Sequence, residues 1–206
     1  MFVADTAAVI ASLLAFVTLV PQLNKLWRTQ DAEGVSASWA AFGAVSNGAW
    51  TIYLFYQDLW LALPATTAMV LFYALIMGLI ARAGRSIVPA LNLGTLWALV
   101  LAAAGIAGGW SVLGLFLGFS VGVQAVPSLW TAFRSRVPTG ISPGTWQLIL
   151  VEGLLWLVYG AGYSDTAIVL FGIISTISSI LILARFYSTR HRMPIEAPAS
   201  LLRVPE

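Results

Sequence analysis

The chain has 206 residues, 60% of them apolar and 9% charged, with a formal net charge of +2. A soluble domain carries about a quarter charged residues, so this balance excludes a water-solvated globule and requires a bilayer as solvent. Spans of about 20 apolar residues each consume the length and leave no room for a soluble catalytic domain, and the absence of cysteine removes disulfides, thiolate metal sites and thiol nucleophiles.

The N-terminal stretch MFVADTAAVIASLLAFVTLVPQ lacks the basic flank of a cleaved signal peptide and is too long for one, so it reads as a first span. Apolar runs broken by charged or Gly/Pro-rich stretches predict spans at 6–27, 37–56, 59–81, 88–108, 110–132, 145–163 and 166–187. From Ser188 the chain carries Arg190, His191, Arg192 and several prolines without a sustained apolar period, which predicts a disordered tail with His191 on its surface. The expected fold is therefore all-α and integral to the membrane.

With seven spans, the loops at 28–36, 82–87 and 133–144, the tail and the adjoining helix ends hold Lys25, Arg28, Arg82, Arg85, Arg134, Arg136, Arg185, Arg190, Arg192 and Arg203, which is every basic residue. The opposite side holds Asp5, Asp58 and Asp165. The positive-inside rule then places the N-terminus outside and the C-terminus in the cytoplasm. Arginine in place of lysine, with much Ala and Gly, points towards a GC-rich bacterial genome, and the membrane expected is then the bacterial cytoplasmic one.

An internal repeat organises these spans. PQLNKLWRTQDAEGVS at 21–36 and PSLWTAFRSRVPTGIS at 127–142 align at a constant offset of 106, pairing Pro21 with Pro127, Arg28 with Arg134, Gly34 with Gly140 and Ser36 with Ser142. The same offset pairs Trp50 with Trp156 and Tyr53 with Tyr159, and one residue of slack pairs Asp58 with Asp165. Three spans is an odd number, so two fused copies would lie inverted, and the span at 88–108 restores a parallel arrangement. The expected organisation is 3+1+3: a first repeat over 1–84, a linker helix over 85–109, a second repeat over 110–187 and a tail over 188–206. Parallel repeats of this kind are a transporter signature, with the solute site near the bilayer midplane between them.

Pro21-Gln22 before a basic, Gly-ended loop, Trp-x-x-Tyr in each second helix, GFSVGVQAVPSLW at 118–130 and WLVYG before Asp165 together resemble the PQ-loop superfamily, and within it the SWEET sugar transporters. The resemblance covers about 7–187 and implies alternating access, the two units rocking about prolines, here Pro21, Pro127 and Pro143. Proline removes a helix hydrogen bond and so supplies a local kink. The plain alternative is a structural proline of the kind membrane helices often carry.

The resemblance also implies that Trp50 and Trp156 pack against a sugar, since aromatic faces suit the apolar faces of a pyranose. The remaining tryptophans, among them Trp27, Trp39, Trp60, Trp110 and Trp130, read as interfacial or packing residues. One helical turn before the pair stand Ser46 and Glu152, where the family has small polar residues. An ionisable group in mid-membrane costs about 2.5 to 3.5 kcal/mol on insertion scales, so Glu152 reads as a proton carrier, a direct ligand of a cationic or hydroxyl-bearing solute, or a neutral carboxyl bonded to a neighbouring helix. The family's asparagines in each third helix are absent: seven residues after Asp58 and Asp165 stand Ala65 and Gly172. Thr66 and Thr67, Ser175 and Thr176, and Asn47 beside Ser46 are the polar groups available near these positions. Gln22 reads as a structural cap or bridge, and Gln124 as a second polar group in a first helix.

Three functions fit these residues: a facilitator for a sugar or sugar-like solute, a proton-coupled carrier of an amino acid or related solute using Glu152, and a receptor or assembly factor that keeps the fold. The expected partners are a small solute and membrane lipid, with a homo-oligomer open and nucleic acid excluded. No cofactor or metal is expected, and no Ser/His/Asp set, metal-ligand cluster or phosphate loop suggests an enzyme.

Overall fold

The computed structural model describes residues 1–29, 36–134 and 142–189, and within these the side chains at 18–26 and 29 lie outside the description. The described residues form helices only: α1 (Phe2–Thr29), α2 (Ala37–Tyr56), a 3-10 turn (Trp60–Ala62) leading into α3 (Leu63–Arg82), α4 (Val88–Arg134), α5 (Pro143–Tyr163) and α6 (Thr166–Thr189). Four stretches among them are long and apolar enough to cross a membrane: Trp60–Arg82, Val88–Arg134, Pro143–Tyr163 and Thr166–Thr189, with Phe2–Val17 a shorter apolar segment. The 20-residue α2 is missing from that set because it carries Ser38, Ser46, Asn47, Thr51 and several aromatic residues.

At 1.5 Å per residue, the 47 residues of α4 would extend about 70 Å as one rod, against a hydrocarbon core of about 30 Å. The chain turns back instead at Gly109, where φ is 65° and ψ is −161°. A Cβ at Gly105 would sit 3.8 Å from the Leu113 side chain, a contact impossible across two turns of a straight helix. Two arms result, 88–108 and 110–134. Only glycine occupies this backbone region readily, and other residues pay about 1–3 kcal/mol there. Nothing lies within 4 Å of a Cβ at Gly109, so Gly109→Ala is expected to destabilise by that backbone term alone, read as a lowered melting temperature in detergent.

The repeat of 106 is visible in backbone geometry. Ser36 and Ser142 are the N-caps of α2 and α5, at φ/ψ of −82°/114° and −86°/108°, accepting from the amides of Trp39 and Thr145 respectively. At the other end, Asp58 and Ser164 both adopt φ 57°, and the amides of Leu59 and Asp165 reach back to the carbonyls of Leu54 and Gly160 at 2.9 and 2.8 Å. Each pair is separated by 106 residues. The slack that pairs Asp58 with Asp165 is therefore corrected: Ser164 is the counterpart of Asp58, and Asp165 that of Leu59.

Helix neighbours repeat in the same way. α3 packs on both α1 and α2, whose described residues do not bring their backbones together, and α6 packs on both α4 and α5, for which the same holds. Contacts of α1 with α5 and of α2 with α4 close the ring. Small residues permit the close seams, as expected where lipid removes any hydrophobic drive between helices. Ala4, Ala8, Ala11 and Ala15 form one buried stripe of α1, and a Cβ on Gly162 of α5 would lie 2.5 Å from the Cβ of Ala4.

The two ends of the ring differ. Around Asp5 and Asp165, one continuous core joins residues from every helix, including Ala4, Tyr53, Leu117, Tyr159 and Ile168. Towards Arg82 and Arg134 the packing divides into separate clusters, one around Tyr73, Ile76 and Ala90 and the other around Ala132 and Ile182.

Candidate functional site

The division of the core leaves a cavity of about 400 Å³ between the helices, within the range of small-molecule sites. Its lining reaches Leu54, Ala62 and Ile168 at the acidic end, takes in the buried Trp50 and Trp156, which are 6% and 7% exposed, and runs towards the basic end as far as Trp39, Ser128 and Trp146. Lining positions pair across the repeat: Ser46 with Glu152, Trp50 with Trp156, Ala62 with Ile168, Ala65 with Phe171 and Met69 with Ser175. The pocket is thus a near-symmetric enclosure whose two sides differ most in chemistry at Ser46 and Glu152.

α2 and α5 place these groups by helical spacing, because residues four apart share a face. On α5 the Trp156 indole donates from Nε1 to Glu152 Oε1 at 3.2 Å. On α2 the arrangement differs: Ser46 Oγ accepts from Trp97 Nε1 at 2.9 Å. Trp97 comes from the first arm of α4 and stacks on Phe42 at 4.8 Å between centroids. The first arm of α4 therefore supports a wall of the site through Ser46, a role that sequence reading did not assign. The available signal was an indole N–H in mid-span, which needs an acceptor when buried.

Asn47 and Thr66 also line the cavity. Asn47 Nδ2 donates to the Gly43 carbonyl at 2.9 Å, and Thr51 Oγ1 lies 2.9 Å from both the Asn47 carbonyl and Thr66 Oγ1, its single O–H serving one of the two, a contact that couples α2 to α3. Gln124, Ser175 and Ser178 line it too, whereas Thr67 is exposed. Gly172 stands apart. It faces α5, where a Cβ would lie 2.7 Å from Leu157 N and 2.8 Å from the Gly153 carbonyl. Phe171, in register with Ala65, takes the lining position instead. Trp39 and Trp146 are wall residues that also pack, as expected of Trp39, against the clusters around Tyr73 and Ile182 respectively.

Above the tryptophans, hydrogen bonds cross the ring. Tyr53 Oη on α2 donates to Asp165 Oδ2 at 2.8 Å, and Tyr163 Oη on α5 donates to Asp5 Oδ1 at 2.6 Å. Asp165 is spent twice, since its Oδ1 also accepts the Ile168 amide at 2.8 Å and caps α6. Both bonds tie the part of the chain before Gly109 to the part after it, and both sit at the end where the core is continuous.

Of the prolines, Pro127 lies inside the second arm of α4, where its missing N–H leaves the Val123 carbonyl without its helical partner. Pro143 occupies the first turn of α5, a place where proline costs no hydrogen bond, so it starts that helix without bending it. Pro21 falls within α1. The side chains of Pro21 and Gln22, and the whole of His191, lie outside the described residues.

Residues 3–63 match the family model of the PQ loop repeat, a stretch covering most of α1, all of α2 and the entry to α3. No curated protein matches the chain significantly. The family match and the apolar helices together support a membrane protein of the PQ-loop class.

Proposed function

We propose that this protein is a transporter that moves a small polar solute, a sugar or sugar-like molecule first, by alternating access between two three-helix units. In this reading the chain spans the membrane seven times as 3+1+3, with 88–108 as the linker helix, the N-terminus outside and the C-terminus in the cytoplasm. The observation that carries it is the cavity itself: it lies between the repeats, is lined by Trp50 and Trp156 below the continuous core at the acidic end, and extends towards the basic end. Bonds between the units at the acidic end and divided packing at the basic end fit one of two alternating states. Breaking the first and joining the second would expose the same cavity to the other side.

A solute held between the indoles depends on both. Trp156→Ala is expected to lower solute affinity and uptake into proteoliposomes by about tenfold, and Trp50→Ala comparably, given the share of contact area that aromatic rings supply. The solute comes from a thermal-shift screen of sugars, amino acids and organic acids, since a bound ligand stabilises the fold. Uptake that survives loss of both tryptophans would sink the proposal.

Glu152 on the cavity wall favours a second reading, proton-coupled transport of an amino acid or related solute. Comparing uptake with and without an imposed proton gradient, in wild type and Glu152→Gln, separates the two. A gradient that changes neither protein removes proton coupling through this residue.

A further inference from the structure

We infer that the cavity selects a solute bearing a positive charge, a small hydroxylated ammonium, with Glu152 as its counter-ion. This rests on the transport reading above and names the solute class for that same cavity. Among the described lining residues Glu152 is the one charged group, and none of them is a Lys, Arg or His. A carboxylate offers about four acceptor positions. Here one hydrogen bond, from Trp156 Nε1 at 3.2 Å, falls on Oε1, and Oε2 has no partner among the described residues. A desolvated carboxylate so poorly matched is expensive unless a proton or a cation completes it. An ammonium does this, a neutral sugar does it only in part, and an anion is repelled.

The rest of the wall fits the same class. Trp39, Trp50, Tyr73, Trp146, Trp156 and Phe171 present aromatic rings to the cavity, and ring faces attract organic cations most strongly where water is excluded. Because Trp156 donates its N–H to a carboxylate, its ring gains electron density and becomes the better face for a cation. Opposite Glu152, Ser46 Oγ already accepts from Trp97, so its own O–H is directed to an acceptor such as a solute hydroxyl. Ser175 and Ser178 add further hydroxyls. The repeat makes the two sides alike, and the Ser46/Glu152 difference breaks that likeness, so the amine is oriented towards α5 and the hydroxyls towards α2.

Isothermal titration of the full-length protein in detergent with glucosamine, glucose and glucuronate tests this, because the three share a pyranose and differ in charge. Glucosamine is expected to bind at least tenfold tighter than glucose, about 1.4 kcal/mol, with glucuronate silent. In Glu152→Gln the glucosamine affinity is expected to fall to that of glucose. Glucose binding as tightly as glucosamine to wild type, a measurement independent of any variant, overturns the inference and leaves the transport reading standing. So does a preference for glucosamine that persists in a folded Glu152→Gln. Binding of none of the three overturns both this inference and the sugar reading of the cavity.

Discussion

Gly172→Ala is expected to unseat α6 from α5 and lower the melting temperature sharply. The added Cβ would meet Leu157 N at 2.7 Å, the Gly153 carbonyl at 2.8 Å and Leu157 Cα at 2.8 Å. All three are backbone atoms, so no rotamer change relieves them and the helices must separate. Overpacking a well-filled seam costs about 1–3 kcal/mol and occasionally more, and the rigid neighbours place this case at the upper end. The seam also carries the cavity wall, since Phe171 and Ser175 flank Gly172 on α6. Thermal unfolding monitored by circular dichroism reads the effect. Gly144, whose Cβ would have nothing within 4 Å, is the comparison site, and equal losses at the two glycines would refute the packing argument.

Asp165→Ala is expected to cost about 3 kcal/mol through two separate losses. The N-cap of α6 disappears, worth roughly 1 kcal/mol, and the buried Tyr53 hydroxyl is left without its acceptor, worth roughly 1–3 kcal/mol. Tyr53→Phe removes only the second interaction, retains the cap, and is expected to cost about 1 kcal/mol. Both variants weaken the tie that closes the acidic end, so both are expected to make the cavity more accessible from that side. Labelling of a cysteine placed at Ser46, in a chain that has none of its own, measures this with an impermeant thiol reagent. A labelling rate unchanged by either substitution would show that the Tyr53–Asp165 bond does not gate the cavity. A double-mutant cycle then isolates the pair from the cap.

Much of the architecture was legible because it is written in local patterns. Composition demanded a bilayer, apolar runs gave the helices to within a few residues, and Gly-Gly between two runs marked the turn at Gly109. The tryptophan pair and Ser46/Glu152 were legible as positions because helical spacing puts residues four apart on one face. The slack introduced at Asp58 was an error of reading residue type in place of backbone. Asp58 and Ser164 share a left-handed turn, which Asp adopts more readily than most residues and which Ser164 adopts here as the end of an equivalent helix. That error carried forward to Gly172, one step out of register with Ala65.

By itself, then, the sequence determined the solvent, the helices, the offset of 106 and the residues at the turn of each second helix that face inwards, all consequences of patterns within about a helix length. The tertiary structure alone decided which end is closed, because Tyr53 meets Asp165 across 112 residues and Asp5 meets Tyr163 across 158. It alone brought Trp97 to Ser46, 51 residues away, and pressed Gly172 against α5 and away from the cavity. Those pairings depend on how helices are rotated and seated against one another. No periodicity along a single helix carries that information.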